Sequence, residues 1–447
     1  MLSQWFGPWF GIVGSLLVML VLMLGVHTWR RVHPGSAELS RKIAHIGLGL
    51  LTVSFPWLFD ETWPVLVTTG AIVVYLVTLR FSLTLKAHVG GVLDAVARRS
   101  LGEIYFPVAV GTLWLLTGGD PLLYCIPLLV LTLADSAAAL VGSAYGHWKY
   151  VTPEGSRKSA EGSVAFFMVA FFAIHVPLLL FSTAGRAETL LIALILGLLV
   201  TLFEAIAWEG LDNLFIPLGG FVLLRDLLDR GTGELTFQLG VLCAVAIIAA
   251  VRRRVTTLDD SALMGAVLAA YVIWALEGWQ WVLLPVLLFI RGTPLRANVE
   301  RGDSHFHGLP AVVSVVTPGL LWVMAEQLLN WPVVLLPFAL SFGIHASVFE
   351  LGRLGDRAQA LAVPVLSLLC AARGTLLVMV PYVLLAGLSA HTLLQLGLAL
   401  AVIAIGTAAL VVLVDNVRPL PTTVRRWLWQ GLLALLGSAC GLGFYPA

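Results

Sequence analysis

Four polar groupings interrupt an otherwise apolar chain. They are Glu38-x-x-Arg41-Lys42-x-x-His45, Asp135 followed by Ser-Ala-Ala-Ala-Leu-Val-Gly142, Arg157-Lys158-Ser159-x-Glu161-Gly162-Ser163, and Glu204 followed by Glu209-Gly-Leu-Asp212-Asn213 and Pro217. On a helix Arg41 and His45 share a face, as do Glu38 and Lys42. His45 and Asp135 both fall inside apolar runs, where an ionisable group needs a partner. For Asp135 that partner is a lysine, an arginine or a metal. Mg²⁺ held by one or two carboxylates plus substrate phosphates is a natural choice. Ser159 and Glu161 stand at a predicted helix start, where free amides and the helix dipole favour an anion, and Arg157 and Lys158 lie directly in front. The Gly-x-x-x-x-Gly-Lys-Ser/Thr phosphate loop is absent. Glu204 and Asp212 fall near one face and could add metal ligands. Each grouping alone has a plainer reading: a basic topological anchor, or a structural Asp–Arg pair. Together they supply cations for phosphate, an intramembrane carboxylate and a histidine. That set fits nucleotide chemistry on a lipid alcohol, with Mg²⁺ and Lys/Arg on the triphosphate and a base for the hydroxyl proton.

The elements that position these groups are membrane helices. The chain has 447 residues, 59% hydrophobic and 11% charged, with a mean hydropathy of +0.97. A soluble fold of this size cannot hide so much apolar surface, so the expected class is an all-α polytopic integral membrane protein of roughly 14–16 transmembrane helices. A net charge of +1 gives no reason to expect nucleic acid as a partner. Cys125, Cys243, Cys370 and Cys440 lie in apolar runs without metal-ligand spacing and read as small hydrophobes. The first apolar run, 10–26, is a helix rather than a leader, because basic residues follow it. The run at 213–224 is too short to cross unaided, and 361–389 could hold two spans. The polar stretch 80–103 reads as an amphipathic helix at the interface.

Arg30, Arg31, Arg41 and Lys42 follow the first run, Arg80, Lys86, Arg98 and Arg99 the third, and Lys149, Arg157 and Lys158 the fifth; the loops between carry Asp60, Glu61 and Asp120. That alternation predicts a bacterial inner-membrane protein with the active site on the cytoplasmic side. The four lysines, Lys42, Lys86, Lys149 and Lys158, all precede residue 160, whereas arginine is spread along the chain. A lysine confined to one region suggests a local need for an ammonium. Polar clusters thin out after Arg252-Arg253-Arg254, which divides the chain into 1–254 and 255–447.

In these motifs the sequence resembles the phytol kinase/dolichol kinase family, the CTP-dependent polyprenol kinases. The match in order and spacing extends over roughly residues 30–225, with serine after Asp135 as a mild departure. The resemblance implies transfer of the γ-phosphate of CTP, or of another nucleoside triphosphate, to an isoprenoid alcohol in the bilayer. It assigns Arg41, Lys42, His45 and Asp135 to catalysis. It gives Arg157, Lys158, Ser159, Glu161 and Gly162 to the nucleotide, and Asp135, Asp212 and Glu204 to Mg²⁺.

The later half is faintly similar to phytyl-phosphate kinases at Ser261–Gly265, Phe289–Thr293 and Ala346–Gly352, but Ser341-Phe-Gly-Ile-His345 lacks the aspartate those proteins carry. It reads as a degenerate or altered relative, with Arg291–Asp303 as a rival phosphate-binding loop. A diacylglycerol kinase and a CDP-lipid-forming cytidylyltransferase are neighbouring alternatives; the latter lacks its Lys-Asp…Pro-Gly-His-Gly-Gly run here. A lipid transporter or flippase with a kinase-like half would instead line a midplane path with charge.

Overall fold

The computed structural model describes residues 7–33, 37–81, 101–151, 157–207, 210–252, 258–292, 307–329, 335–354, 361–414 and 423–444. The expected interfacial helix with Lys86, and also Glu209, Arg253, Arg254 and Arg296, lie outside them. Two compact units divide the chain, Met1–Val241 and Leu242–Ala447.

Helices of the first unit are α1 (Pro8–Val32), α2 (Ala37–Val53), α3 (Phe55–Leu58), α4 (Thr62–Phe81), α5 (Gly102–Thr117), α6 (Pro121–Tyr145), α7 (Ala160–Phe181), α8 (Arg186–Ile206) and α9 (Asp212–Leu228). Helix α10 (Thr232–Arg252) carries the division between units. The second unit contains α11 (Asp260–Glu277), α12 (Trp279–Gly292), α13 (Leu309–Leu329), α14 (Leu335–Leu354), α15 (Val363–Ala386), α16 (Ala390–Leu413) and α17 (Val424–Ala439). Ten of these helices are long and apolar enough to cross a bilayer, and three shorter apolar ones accompany them among the described residues. The protein is therefore an all-α polytopic membrane protein. Residues 361–389, long enough for two spans, form the single helix α15. The short run at 213–224 belongs to the 17-residue helix α9.

Local sequence explains the helix limits near the site. Gly118 and Gly119 adopt positive φ and turn the chain; Asp120 then caps α6, accepting from the amides of Leu122 and Leu123 at 2.9 Å, with Pro121 in the first turn. Within α6 the segment Val130–Ala134 winds as one π turn immediately before Asp135. Such a turn shifts the carbonyl ladder and is a frequent companion of functional sites. After α6 the chain makes a hairpin of β1 (Lys149–Val151) and β2 (Arg157–Ser159), pairing Tyr150 with Lys158. Ser159 then caps α7, accepting from the Gly162 amide at 3.1 Å.

The unit's core includes Val110, Leu113, Ile126, Leu131, Phe166, Ile174, Leu196 and Leu224, all 0–1% exposed. Apolar side chains such as Val13, Leu17, Val21 and Phe172 point outward, as lipid-facing residues do. Two close approaches bring the polar elements together. A Cβ at Gly49 would fall on the Thr132 side chain of the π turn, so α2 lies hard against α6. A Cβ at Gly162 would stand 2.9 Å from the Ala138 carbonyl oxygen and 3.3 Å from the Gly142 Cα, which are backbone atoms that cannot step aside. Small residues meeting in this way let membrane helices approach closely. Gly162→Leu is therefore expected to pry α7 from α6 at a cost of ~1–3 kcal/mol, read as a lower thermal midpoint of the purified protein. An unchanged midpoint would show that the approach is dispensable.

Candidate active site

Most of the groups singled out in the sequence converge in the first unit around Asp135 in the second half of α6, near the starts of α2, α7 and α9 and the end of α8. Lys42 is 1% exposed. Its ammonium lies 2.6 Å from Asp135 Oδ2 and also donates to the Asp135 main-chain oxygen at 3.2 Å. His45, one turn further along α2, places Nε2 3.4 Å from the same Asp135 oxygen and 3.3 Å from the Leu131 carbonyl in the π turn. Arg41 does not join this contact. It folds back onto Glu38 at 2.5 Å, an i,i+3 pair that leaves Lys42 to enter the bundle without Glu38 as its partner.

A second lysine–carboxylate pair completes the cluster. Lys158 Nζ lies 2.7 Å from Glu204 Oε1 and donates to the Glu204 main-chain oxygen as well. Burial alone would lower the pKa of this ammonium, but the charge and hydrogen bond of Glu204 outweigh it and hold the pKa above the ordinary lysine value. Asp212 begins α9, with one carboxylate oxygen accepting from the Asn213 amide at 3.1 Å. Asp135, Glu204 and Asp212 each offer a carboxylate oxygen, and these oxygens lie within 4.8 Å of one another. Glu204 Oε2 is buried and has no hydrogen-bond partner among the described residues. Three converging carboxylates and an orphaned acceptor fit a hard divalent cation such as Mg²⁺.

The remaining sequence candidates have other surroundings. Alternation along β2 turns Lys158 inward and leaves Arg157 exposed on the opposite side. Glu161 accepts from the amides of His147 and Trp148, so it ties the hairpin to α7. Ser159 is buried as the α7 cap, and Gly162 is held against Gly142. In the second unit Arg291, from the rival loop, meets Glu350 at 2.7 Å.

Sequence reasoning missed a feature beside this cluster. Between α1, α2, α4 and α5 runs a cavity of about 190 Å³, apolar along Met19, Leu48, Leu51 and Ile72, with Arg41, His45, Glu103 and Asn213 at its polar end. Its lining from Arg41 to Thr52 follows α2 for roughly 16 Å at the helical rise. Asn213 is fixed there by donating to the Gly102 carbonyl at 3.1 Å. No single residue type announces such a groove; the one available signal was that His45 opens an apolar helix.

A phytol kinase from Synechocystis sp. is 28% identical to this chain over 220 residues, which is 48% of the chain and 90% of that protein. About half of the chain is thus related to phytol kinase. No family model matches, and no solved structure does.

Breaking the innermost pair tests the geometry. Lys42→Met strands a buried carboxylate and is expected to cost ~3–5 kcal/mol, much of it recovered in the Lys42→Met, Asp135→Asn double variant. Thermal unfolding of the three proteins checks this. A double variant that melts no higher than Lys42→Met would mean that the stranded Asp135 charge is not the source of the loss.

Proposed function

We propose that the protein is a lipid-alcohol kinase that transfers the γ-phosphate of a nucleoside triphosphate, CTP foremost, to an isoprenoid alcohol. The observation that carries this reading is the meeting of two environments at His45. The apolar groove ends at that residue, and 3.4 Å away begins the cluster of carboxylates and lysines. An isoprenoid tail fits the first environment and a polyphosphate the second. The kinship with a phytol kinase agrees with both.

In this reading the alcohol lies with its chain in the groove and its hydroxyl beside His45. The Nε2–H of His45 donates to the Leu131 carbonyl and faces Asp135, which fixes the tautomer and leaves Nδ1 to accept a proton. The alcohol oxygen bonds to the γ-phosphorus, its proton passes to Nδ1, the bond from the γ-phosphorus to the β–γ bridging oxygen breaks, and nucleoside diphosphate leaves. Lys42 and Lys158 already stand among the carboxylates and can turn their charge toward phosphate oxygens. Mg²⁺ held by Asp135, Glu204 and Asp212 would offset the triphosphate charge. Arg157, exposed at the hairpin, is available to the outer part of the nucleotide. We assign the site to the cytoplasmic side of a bacterial inner membrane, a reading that the basic residues at this end support. Charge gathered at one end argues against the transporter reading, which calls for a charged midplane path.

The test is purified protein with γ-labelled CTP or ATP and a panel of phytol, farnesol, a longer polyprenol and diacylglycerol. Labelled isoprenyl monophosphate is expected, with Asp135→Asn lowering the rate by about 100-fold or more, of the order seen when a transition-state charge contact is removed. Label entering diacylglycerol alone, or no lipid at all, would overturn the isoprenoid assignment. A second variant examines the groove: Leu48→Trp is expected to raise the KM for the alcohol several-fold while leaving the nucleotide KM within twofold. Equal changes in both would detach the groove from the lipid.

A further inference from the structure

The second unit buries an arginine with no anion beside it among the described residues. Arg426, in the first turn of α17, is 6% exposed. It takes no part in the ion pairs among the described residues, whereas Arg291 and Arg373 of the same unit both face Glu350. Its Nε–H has no acceptor. The guanidinium carbon lies 3.7 Å from the centre of the Trp427 ring. That contact offsets part of the cost of burying the charge but accepts no in-plane N–H bond.

Two further side chains at this place share the deficit. Gln430 lies one turn beyond Arg426 on the same helix face and is 0% exposed. Its Nε2 donates to His345 Nδ1 of α14 at 2.7 Å, which puts the imidazole proton on Nε2. That Nε2, in a residue 0% exposed, has no acceptor, and Gln430 Oε1 has no donor. Among the described residues, three adjoining buried side chains therefore present two unsatisfied donors, one unsatisfied acceptor and one positive charge. Buried polar groups are rarely left in that state, and an unpaired buried charge is costlier still.

We infer that Arg426, His345 and Gln430 form a binding site for a phosphate group that retains one proton, as in a phosphate monoester or inorganic phosphate. Its charged oxygens accept from the Arg426 guanidinium and from His345 Nε2–H, and its remaining P–OH donates to Gln430 Oε1. An ionised carboxylate could satisfy the two donors but carries no proton for the glutamine oxygen. The inference stands apart from the kinase reading, because all three residues belong to the second unit.

The experiment uses the full-length protein at pH 6 in detergent, with EDTA and without nucleotide. The probes are labelled orthophosphate and labelled dodecyl phosphate. Saturable binding of at least one is expected, weakened tenfold or more by Arg426→Met and by Gln430→Met, and changed less than twofold by Arg186→Gln at an exposed position of the other unit. Competition by orthophosphate marks recognition of the head group alone; binding of dodecyl phosphate alone marks a lipid phosphate, and either supports the site. Arg426→Met without probe is expected to melt no lower than the parent, since it removes an unpaired buried charge. A large loss of stability in that variant would assign Arg426 a structural role and overturn the inference. Absence of saturable binding, or binding unaffected by both α17 variants, would overturn it equally.

Discussion

Burying a carboxylate in a membrane domain requires a cation at hydrogen-bond distance, and the first unit is organised around that requirement at Asp135. Lys42 meets it at 2.6 Å from a neighbouring helix. To do so, α2 must lie against α6, and that approach is possible because Gly49 has no side chain where Thr132 stands. The same contact sets His45 on the π turn and orients the end of the apolar groove. Lys158 repeats the solution for Glu204, carried inward by the strand alternation of the hairpin. A lysine suits both places: its slender stem threads between packed helices to deliver a point charge, where a planar guanidinium needs more room.

The charge balance of the cluster also bears on what it can bind. Three carboxylates against two ammoniums leave one negative charge when all are ionised. In the proposed reading a divalent cation would reverse that sign and prepare the place for a polyphosphate. The buried, unpartnered oxygen of Glu204 points to the same incomplete state. These groups satisfy one another well enough to fold, and a metal with its phosphate ligand would complete their charge balance.

The helical membrane class was legible from composition, and the convergence of Lys42, His45, Asp135, Lys158, Glu204 and Asp212 was legible from ionisable residues set inside or at the ends of apolar runs. Their pairing was not. Helix periodicity put Glu38 beside Lys42, while tertiary packing gave Lys42 to Asp135 and left Glu38 to Arg41. Adjacent Arg157 and Lys158 looked equivalent until the hairpin turned them to opposite sides. Glu161 and Gly162 resembled parts of a phosphate cradle, but one bonds the preceding turn and the other permits a close helix approach. The groove depends on four helices meeting, and the π turn on a local shift in winding that no residue pattern specifies. The isolated Arg426 was equally silent, since the absence of a partner is a property of three dimensions.

Metal occupancy tests most directly whether Asp135, Glu204 and Asp212, the first two paired with lysines, are poised for a cation and a nucleotide. Mn²⁺ titrated into the full-length protein with CTP can be followed by electron paramagnetic resonance. One nucleotide-dependent bound ion per chain is expected, lost or weakened at least tenfold in Glu204→Gln and in Asp212→Asn. Nucleotide-dependent binding that persists undiminished in both variants would contradict that expectation.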